Sequence, residues 1–356
     1  MILHKGKNCG FTQASAPILK YNSSASGKKQ TIFFTNPPRI AAGASVVTER
    51  EANGPIGKYF DIIEHDPKMG EKCFETAEIN MMDMAVRKAA EKAGKPIKTF
   101  DAFLGGDLLN QITTSAYVAR GLEIPFLGMY NACSTFTETL AMGSALISAG
   151  HYDSVLCSTV SHFATAERQY RFPLEYGSQR PPYAQWTVTG AGCSALTKDG
   201  DGPRIVAATI GRVVDFGIND LSNMGAAMAP AAMDSMTRLF KDTGTEPEDY
   251  DLILTGDLGK LGSDILRDLM REQGYELGQR YIDCGSLIYD VTQKCYQGGS
   301  GAGCSSTVFN SYILEKIKSG EYNRVVLFAT GALMSTQSCY QGETIPSVSH
   351  AVIIER

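Results

Sequence analysis

The chain has 356 residues, of which 43% are hydrophobic and 20% charged, and a net charge of −5 at neutral pH. That is the make-up of a globular protein with a substantial core, and the acidic balance excludes a global basic field for nucleic acid or an anionic membrane. The opening MILHKGKNCGF lacks the apolar centre of a signal peptide, and no run reaches the roughly 18 apolar residues of a membrane span, so a soluble chain inside a cell is expected.

In chain order, PRIAAGASVV (38–47) is continuously apolar and β-rich, as in a strand covered on both faces. ETAEINMMDMAVRKAAEKAG (75–94) predicts a helix, with Ile79, Met82, Val86, Ala89 and Ala93 at helical spacing and Gly94 and Pro96 ending it. DAFLGG (101–106) reads as a strand, TFTETLAMGSALISAG (135–150) as a helix stopped by Gly150, and SVLCSTV (154–160) as the next strand. Residues 160–189 follow neither periodicity and are expected to form a long loop over a site.

Four landmarks then recur in the same order. PRIAAGASVV is echoed by PRIVAATIGRVV (203–214), FDAFLGGDLLNQI (100–112) by YDLILTGDLGKLG (250–262), and ISAGHYDSVLCSTVS (147–161) by IKSGEYNRVVLFATG (317–331). GCSALTKDG (192–200) and SHAVIIER (349–356) close each half with an apolar strand. Ordered recurrence of this kind indicates duplication. The fold class is therefore α/β: two similar halves, 1–200 and 201–356, divided at the polar TKDGDGPR turn (197–204). Alternating strands and helices imply a mostly parallel, helix-covered sheet in each half. Packing of the halves about a pseudo-two-fold axis then gives five layers, α-β-α-β-α.

Nine cysteines, an odd number, contain no C-x-x-C pair, and the five histidines (4, 65, 151, 162 and 350) do not cluster with them. Neither a disulfide framework nor a metal site is expected, and no cofactor signature stands out; GGSGAG (298–303) alone is too weak to indicate a nucleotide. Cys133 is the residue of interest. It precedes a helix, where outward N–H groups and the dipole favour an anion and a thiolate, but a small buried thiol is the plainer reading of one cysteine among nine.

The order of elements, the duplication, NACSTFTETLAMGSALISAGHYDSVL (131–156) and WTVTGAGCSAL (186–196) resemble the thiolase superfamily, especially its β-ketoacyl synthase III-like condensing enzymes. The resemblance implies a cysteine acylated at a buried helix start, assisted by a histidine and an asparagine from the second half. Aligned on the preceding strand, Gly256 falls at the histidine position, with Asp257 beside it, and Gly299 falls at the asparagine position; no histidine lies between 163 and 349. Oxyanion donors are worth about 3–4 kcal/mol each, so losing both removes several powers of ten in rate. The expectation is binding rather than catalysis, with an acyl-CoA condensing or acyl-transfer enzyme using Cys133 as the alternative, and His162 as its unusual base.

Within that superfamily the chain resembles a non-catalytic branch that serves spore formation in Bacillus relatives, through GKNCGFTQASAPILKYNSSASGKKQ (6–30), GGDLLNQITTS (105–115) and YNACSTF (130–136). This implies binding of dipicolinic acid, or its calcium chelate, as one subunit of a multi-protein channel complex peripheral to the inner spore membrane. By the same resemblance the chain forms a homodimer. A flat dianion suits a site with N–H groups near Cys133 and Ser134, glycines 256, 299 and 301, and charge or donors from Asp107, His162, Arg180, Gln185 and Lys260. For each side chain a second reading stands: Arg180 and Lys260 as solvated cations, His162 as a packed ring, Asp107 and its repeat partner Asp257 as helix caps. Trp186 and Tyr183 line the pocket, pin its loop, or both. The lysines at 5, 7, 20, 28 and 29 read as a solvated tail or as an electrostatic membrane contact.

Overall fold

The computed structural model describes residues 29–171, 174 and 179–356. The opening resemblance segment and its lysines, apart from exposed Lys29, thus lie outside the described residues, as does part of the 160–189 excursion. The first half supplies β1 (Thr31–Phe33), β2 (Arg39–Thr48), the one-turn α1 (Glu49–Ala52), β3 (Ile62–Glu64), α2 (Phe74–Lys92), β4 (Ala102–Gly106), α3 (Thr113–Leu122) and β5 (Phe126–Gly128). It continues through α4 (Thr135–Ser148), β6 (Ser154–Ser161), α5 (Phe163–Tyr170), β7 (Trp186–Thr187) and β8 (Gly190–Thr197). The second half supplies β9 (Arg204–Thr209), α6 (Met224–Thr243), β10 (Leu252–Thr255), α7 (Gly259–Glu272), β11 (Tyr281–Asp283), α8 (Cys284–Ile288) and β12 (Gly299–Ser300). It ends with α9 (Ala302–Val308), α10 (Leu314–Ser319), β13 (Arg324–Ala332), α11 (Thr336–Tyr340) and β14 (Ser347–Glu355).

Strand order repeats between the halves, β5-β4-β6-β8-β2 in one and β11-β10-β13-β14-β9 in the other. In both, the closing strand (β8 or β14) is inserted antiparallel to its two neighbours, while the remaining pairs are parallel. Even the irregularities correspond. The β2–β8 register skips Ala41, between Ile40 and Ala42, and the β14–β9 register skips Val206, the residue at the same place in the second copy. The sheets meet where Arg39 pairs with Arg204.

Alternation along the strands explains the layers. Phe103, Leu156 and Val160 face outward onto Met81, Met82 and Val86 of α2. Ile253, Val326 and Phe328 face outward onto Met228, Met233 and Phe240 of α6. The intervening residues, including Leu104, Val155, Leu254 and Leu327, point inward and share one core with Phe136 and Leu140 of α4 and with Val308 and Ile317 of α9 and α10. The result is the five-layered α-β-α-β-α arrangement. With about 1.5–3 kcal/mol gained per large apolar side chain fully buried, the central layer is held from both sides. This explains why α4 and the α9–α10 unit, joined by a π-helical turn at Phe309–Ile313, are buried over most of their length.

The 160–189 excursion is more ordered than its sequence suggests. β6 runs through Ser161, and His162 caps the eight-residue α5, its Nδ1 accepting from the Ala164 N–H at 3.1 Å. A histidine in place of Ser, Thr or Asp at the cap concealed the helix start.

Candidate functional site

The central layer brings the start of α4 against the second half. Ser134 Oγ donates to the Ala329 carbonyl (2.7 Å) and accepts from the His350 N–H (3.1 Å). Gly331 lies so close beneath this turn that a Cβ there would stand 2.0 Å from the Asn131 carbonyl oxygen. Ala132, just before the cysteine, has φ of +50°, a left-handed conformation that costs an L-residue on the order of 1–2 kcal/mol. Thr135 Oγ1 holds it there by donating to the Ala132 carbonyl (2.7 Å) while accepting from the Asn131 N–H (3.0 Å).

Around the Cys133 thiol stand the Asp257 carboxyl, the Ser300 hydroxyl and the Gly301 N–H. Burial pushes the thiol well above its ordinary pKa, and the Asp257 charge pushes it further. Asp257 is itself enclosed, and burial raises its carboxyl to about 7 against the pull of the thiol and of Thr330. Thr330 Oγ1 donates to Asp257 Oδ1 at 2.8 Å, and Oδ2, enclosed beside the Cys133 thiol, has no nitrogen or hydroxyl donor among the described residues.

Cys133, Ser300 and Gly301 line a cavity of about 50 Å³, walled by Leu108, Ala166, Met224 and Met334 and edged by Tyr170, Arg171 and Thr187. Arg171 is the cation here. Its Nη1 pairs with Glu167 Oε2 at 3.1 Å, an oxygen that also accepts from Arg180 Nη1 at 2.8 Å, so two guanidiniums share one carboxylate. Burial lowers the Arg171 pKa and Glu167 opposes the shift, but a guanidinium stays charged, and its Nε–H is enclosed without a hydrogen-bond partner among the described residues.

The other residues singled out from the sequence lie elsewhere. Gly256 does not form the pocket floor: a Cβ there would face Ala329 and Ser305, and it is Asp257, one residue on past the end of β10, that meets the thiol. Gly299 likewise faces Ile288, Val188 and Cys304, and it is Ser300 that reaches the cysteine. Asp107 accepts from the Leu109 N–H (2.9 Å) and from the Ser115 N–H and hydroxyl (2.8 and 2.7 Å), tying down its own turn. Asp257 is not a helix cap; Asp283 takes that role, accepting from the Leu258 and Gly259 N–H groups at 2.8 Å each. Lys260 is exposed and borders a separate groove with Ser263, Asp264 and Arg267.

His162 is turned away from the thiol cavity, its Nε2 bonded to the Pro67 carbonyl at 2.8 Å, and it lines a wide groove of about 630 Å³ with Arg50, Phe163 and Trp186. Trp186 stacks on Phe163 at 3.8 Å, and the Arg50 guanidinium covers it at 3.8 Å. Trp186 faces this groove while Thr187 faces the thiol cavity, so β7 and α5 form the wall between them. Gln185 fastens that wall, its Nε2 donating to the Asp257 carbonyl (2.6 Å) and the Gly299 carbonyl (3.0 Å). Arg180 braces it over Phe163 and Trp186. Tyr183 is partly exposed and bonded to Asp220. Sequence reading missed Tyr170, Arg171, Thr187 and Ser300; the available signal for the first two was the helix-forming ATAERQ run inside the supposed loop.

A duplicated α/β sandwich with a cysteine at the start of its buried central helix defines the thiolase fold. Among solved structures the chain is similar to 3-oxoacyl-[acyl-carrier-protein] synthase III from Aquifex aeolicus, with a TM-score of 0.57 and 13% identity over 90% of this chain and 100% of that one. It is also similar to OleA of Xanthomonas campestris, TM-score 0.60 and 12% identity over 92% of this chain and 99% of that one. Residues 28–355 match the family of stage V sporulation protein AD. The stage V sporulation protein AD of Bacillus subtilis (strain 168) is 45% identical over 328 residues, 92% of this chain and 97% of that protein. The chain belongs to the stage V sporulation protein AD family.

Proposed function

We propose that this protein is a non-enzymatic receptor for dipicolinic acid, pyridine-2,6-dicarboxylate, free or as its calcium chelate, working in the developing spore with the other subunits of a dipicolinate channel at the inner membrane. The observation that carries the reading is Arg171: an enclosed guanidinium lining the thiol cavity whose Nε–H has no hydrogen-bond partner among the described residues, in a cluster of two arginines and one glutamate. Among the described residues such a cluster carries one positive charge more than negative, and a bound carboxylate answers it with a charge-assisted hydrogen bond. The apolar walls suit the face of an aromatic ring. At about 50 Å³ the cavity has room for one or two waters, each about 30 Å³ in the liquid, so a pyridine dicarboxylate enters only as the wall of α5 and β7 gives way.

The same surroundings argue against acyl transfer. The thiolate is the nucleophile, and here burial and a neighbouring carboxyl both hold the proton on sulfur. Among the described residues no helix is long and apolar enough to cross a membrane. A place at the inner spore membrane therefore depends on partner subunits in this proposal.

Titration calorimetry with dipicolinate, with and without calcium, tests the reading; saturable one-to-one binding that Arg171→Met weakens is expected. A stoichiometric acyl adduct on Cys133 with turnover after incubation with acyl-CoA, seen by mass spectrometry, would overturn it.

A further inference from the structure

We propose that the wide groove on the outer side of the α5–β7 wall is a second binding site, which takes a planar aromatic carboxylate between its ring-lined walls and Arg50. It stands apart from the thiol cavity and from the reading given to that cavity.

Size and lining are the first grounds. At about 630 Å³ the groove lies within the roughly 300–1,000 Å³ of small-molecule sites, against about 50 Å³ for the thiol cavity. Phe74, His162, Phe163 and Trp186 line it, and each ring is fixed by a neighbour. Phe163 and Trp186 lie 3.8 Å apart with their planes 5° from parallel, and Phe74 leans on His162 at 5.1 Å. Both His162 nitrogens are engaged, by the Pro67 carbonyl at 2.8 Å and the Ala164 N–H at 3.1 Å, which leaves the ring to act as an apolar surface.

Charge is the second ground. Arg50 is held over Trp186 at 3.8 Å, its Nη2 donating to the Gln293 carbonyl at 2.8 Å while Gln293 Nε2 donates back to the Arg50 carbonyl at 2.6 Å. The Cys295 thiol lies beside it, and among the described residues no carboxylate stands within ion-pairing distance of its guanidinium. Lys68 adds an ammonium 5.5 Å from the Phe74 ring centre. The nearby carboxylates are already engaged. Glu49 pairs with His65 at 3.0 Å, Glu75 pairs with Arg168, and Asp66 accepts from the Lys68 and Gly70 N–H groups at 2.9 and 2.8 Å. A guanidinium fork fixed in place without a carboxylate answers one on a ligand with paired, charge-assisted hydrogen bonds, and the rings receive the ligand's aromatic edge or face. Solvent reaches the groove past exposed His65, so its charges are screened more than those of the enclosed cavity. It therefore fills at higher ligand concentration than the one-to-one event.

The test is titration of the full chain with dipicolinate, followed through the emission of Trp186, the only tryptophan of the chain, excited beyond the ligand's own absorption. A saturable change is expected, with its midpoint above that of the calorimetric one-to-one event. Arg50→Met is expected to weaken this titration about 10–100-fold, and Arg50→Lys, which keeps the charge but not the planar fork, to weaken it less. Arg171→Met should leave it unchanged. Cyclohexane-1,3-dicarboxylate, equally charged but without an aromatic face, should bind more weakly than dipicolinate. In the wild type, emission that stays constant, or binding of the cyclohexane compound as tight as that of dipicolinate, overturns the proposal whether or not the variants fold. An emission change that coincides with the one-to-one event and is lost in Arg171→Met, or that Arg50→Met leaves as it was, also overturns it. A saturable Trp186 signal sensitive to Arg50, without any event sensitive to Arg171, instead overturns the receptor reading of the thiol cavity and leaves the groove site standing.

Discussion

Asp107 and Asp257 stand at the same place in the two copies of the repeat, each just past the end of a central parallel strand, yet their carboxyls serve different ends. Asp107 is saturated by its own turn, with three hydrogen bonds from Leu109 and Ser115. Asp257 accepts from Thr330 at 2.8 Å and faces the Cys133 thiol. Duplication supplied two identical side chains; the second copy places its one where the first copy's α4 begins.

Their substitutions should therefore diverge. Asp107→Asn removes an acceptor from buried donors and is expected to cost about 1–3 kcal/mol in urea unfolding, lowering Tm by several degrees. Asp257→Asn is expected to stabilise the protein at alkaline pH. The folded state holds the Asp257 proton up to about pH 7, whereas the unfolded chain sheds it near 4, so this group's contribution is complete below about pH 4 and is lost as pH rises to 7. The asparagine carries no such loss. Its advantage should be on the order of 2–4 kcal/mol at pH 8 and shrink toward pH 5, read from urea unfolding at both values.

Alkylation rates offer a second check. Cys73 is exposed, whereas Cys133 is held protonated by burial and by Asp257. Iodoacetamide at pH 7.5 should modify Cys73 at least tenfold faster than Cys133, by peptide mass spectrometry. Removing the negative neighbour lowers the thiol pKa, so Asp257→Asn should accelerate Cys133. Equal rates for the two cysteines in the wild type would contradict the description of the site.

The two arginines on Glu167 are not equivalent. Arg171 edges the cavity, while Arg180 is spent on the wall, bonding the Gln185 carbonyl and covering Phe163 and Trp186. Hydrogen bonds to charged groups contribute about 1.5–3 kcal/mol, so Arg171→Met should weaken dipicolinate binding roughly 10–100-fold. Glu167 stays paired with Arg180 in that variant, and the fold should hold. Arg180→Met should act mainly on Tm. The pair of variants, measured by calorimetry and by thermal melting, separates ligand contact from support.

Self-association is expected along β5. This strand pairs with β4 on one side and carries Leu127, 39% exposed; Tyr117 of α3 and Tyr130 just past the strand are exposed as well. A strand edge with apolar neighbours invites pairing with a second copy. Light scattering should give a dimer mass, and Leu127→Lys should shift it toward the monomer; a wild-type monomer at micromolar concentration would refute the dimer.

Much of this molecule could be read from its residues in order. Apolar runs such as RIAAGASVV and SVLCSTV mark strands covered on both faces, and the 75–94 periodicity appears as α2, ending before Gly94 with its φ of +65°. The repeated landmarks announce two copies of one topology, down to the bulges at Ala41 and Val206. These features are local or periodic, and burial imposes them on the sequence directly. What faces Cys133 was decided in three dimensions. A single step along the chain separates Gly256, which packs on Ala329, from Asp257, which meets the thiol, and the same holds for Gly299 and Ser300. Arg171 reaches the cavity through a helix hidden behind an unusual cap, from a segment about 38 residues beyond the cysteine in chain order. Side-chain direction alternates with every strand residue, and contacts between the halves join positions more than a hundred residues apart, so spacing alone names the neighbourhood of a site but not the atoms that line it.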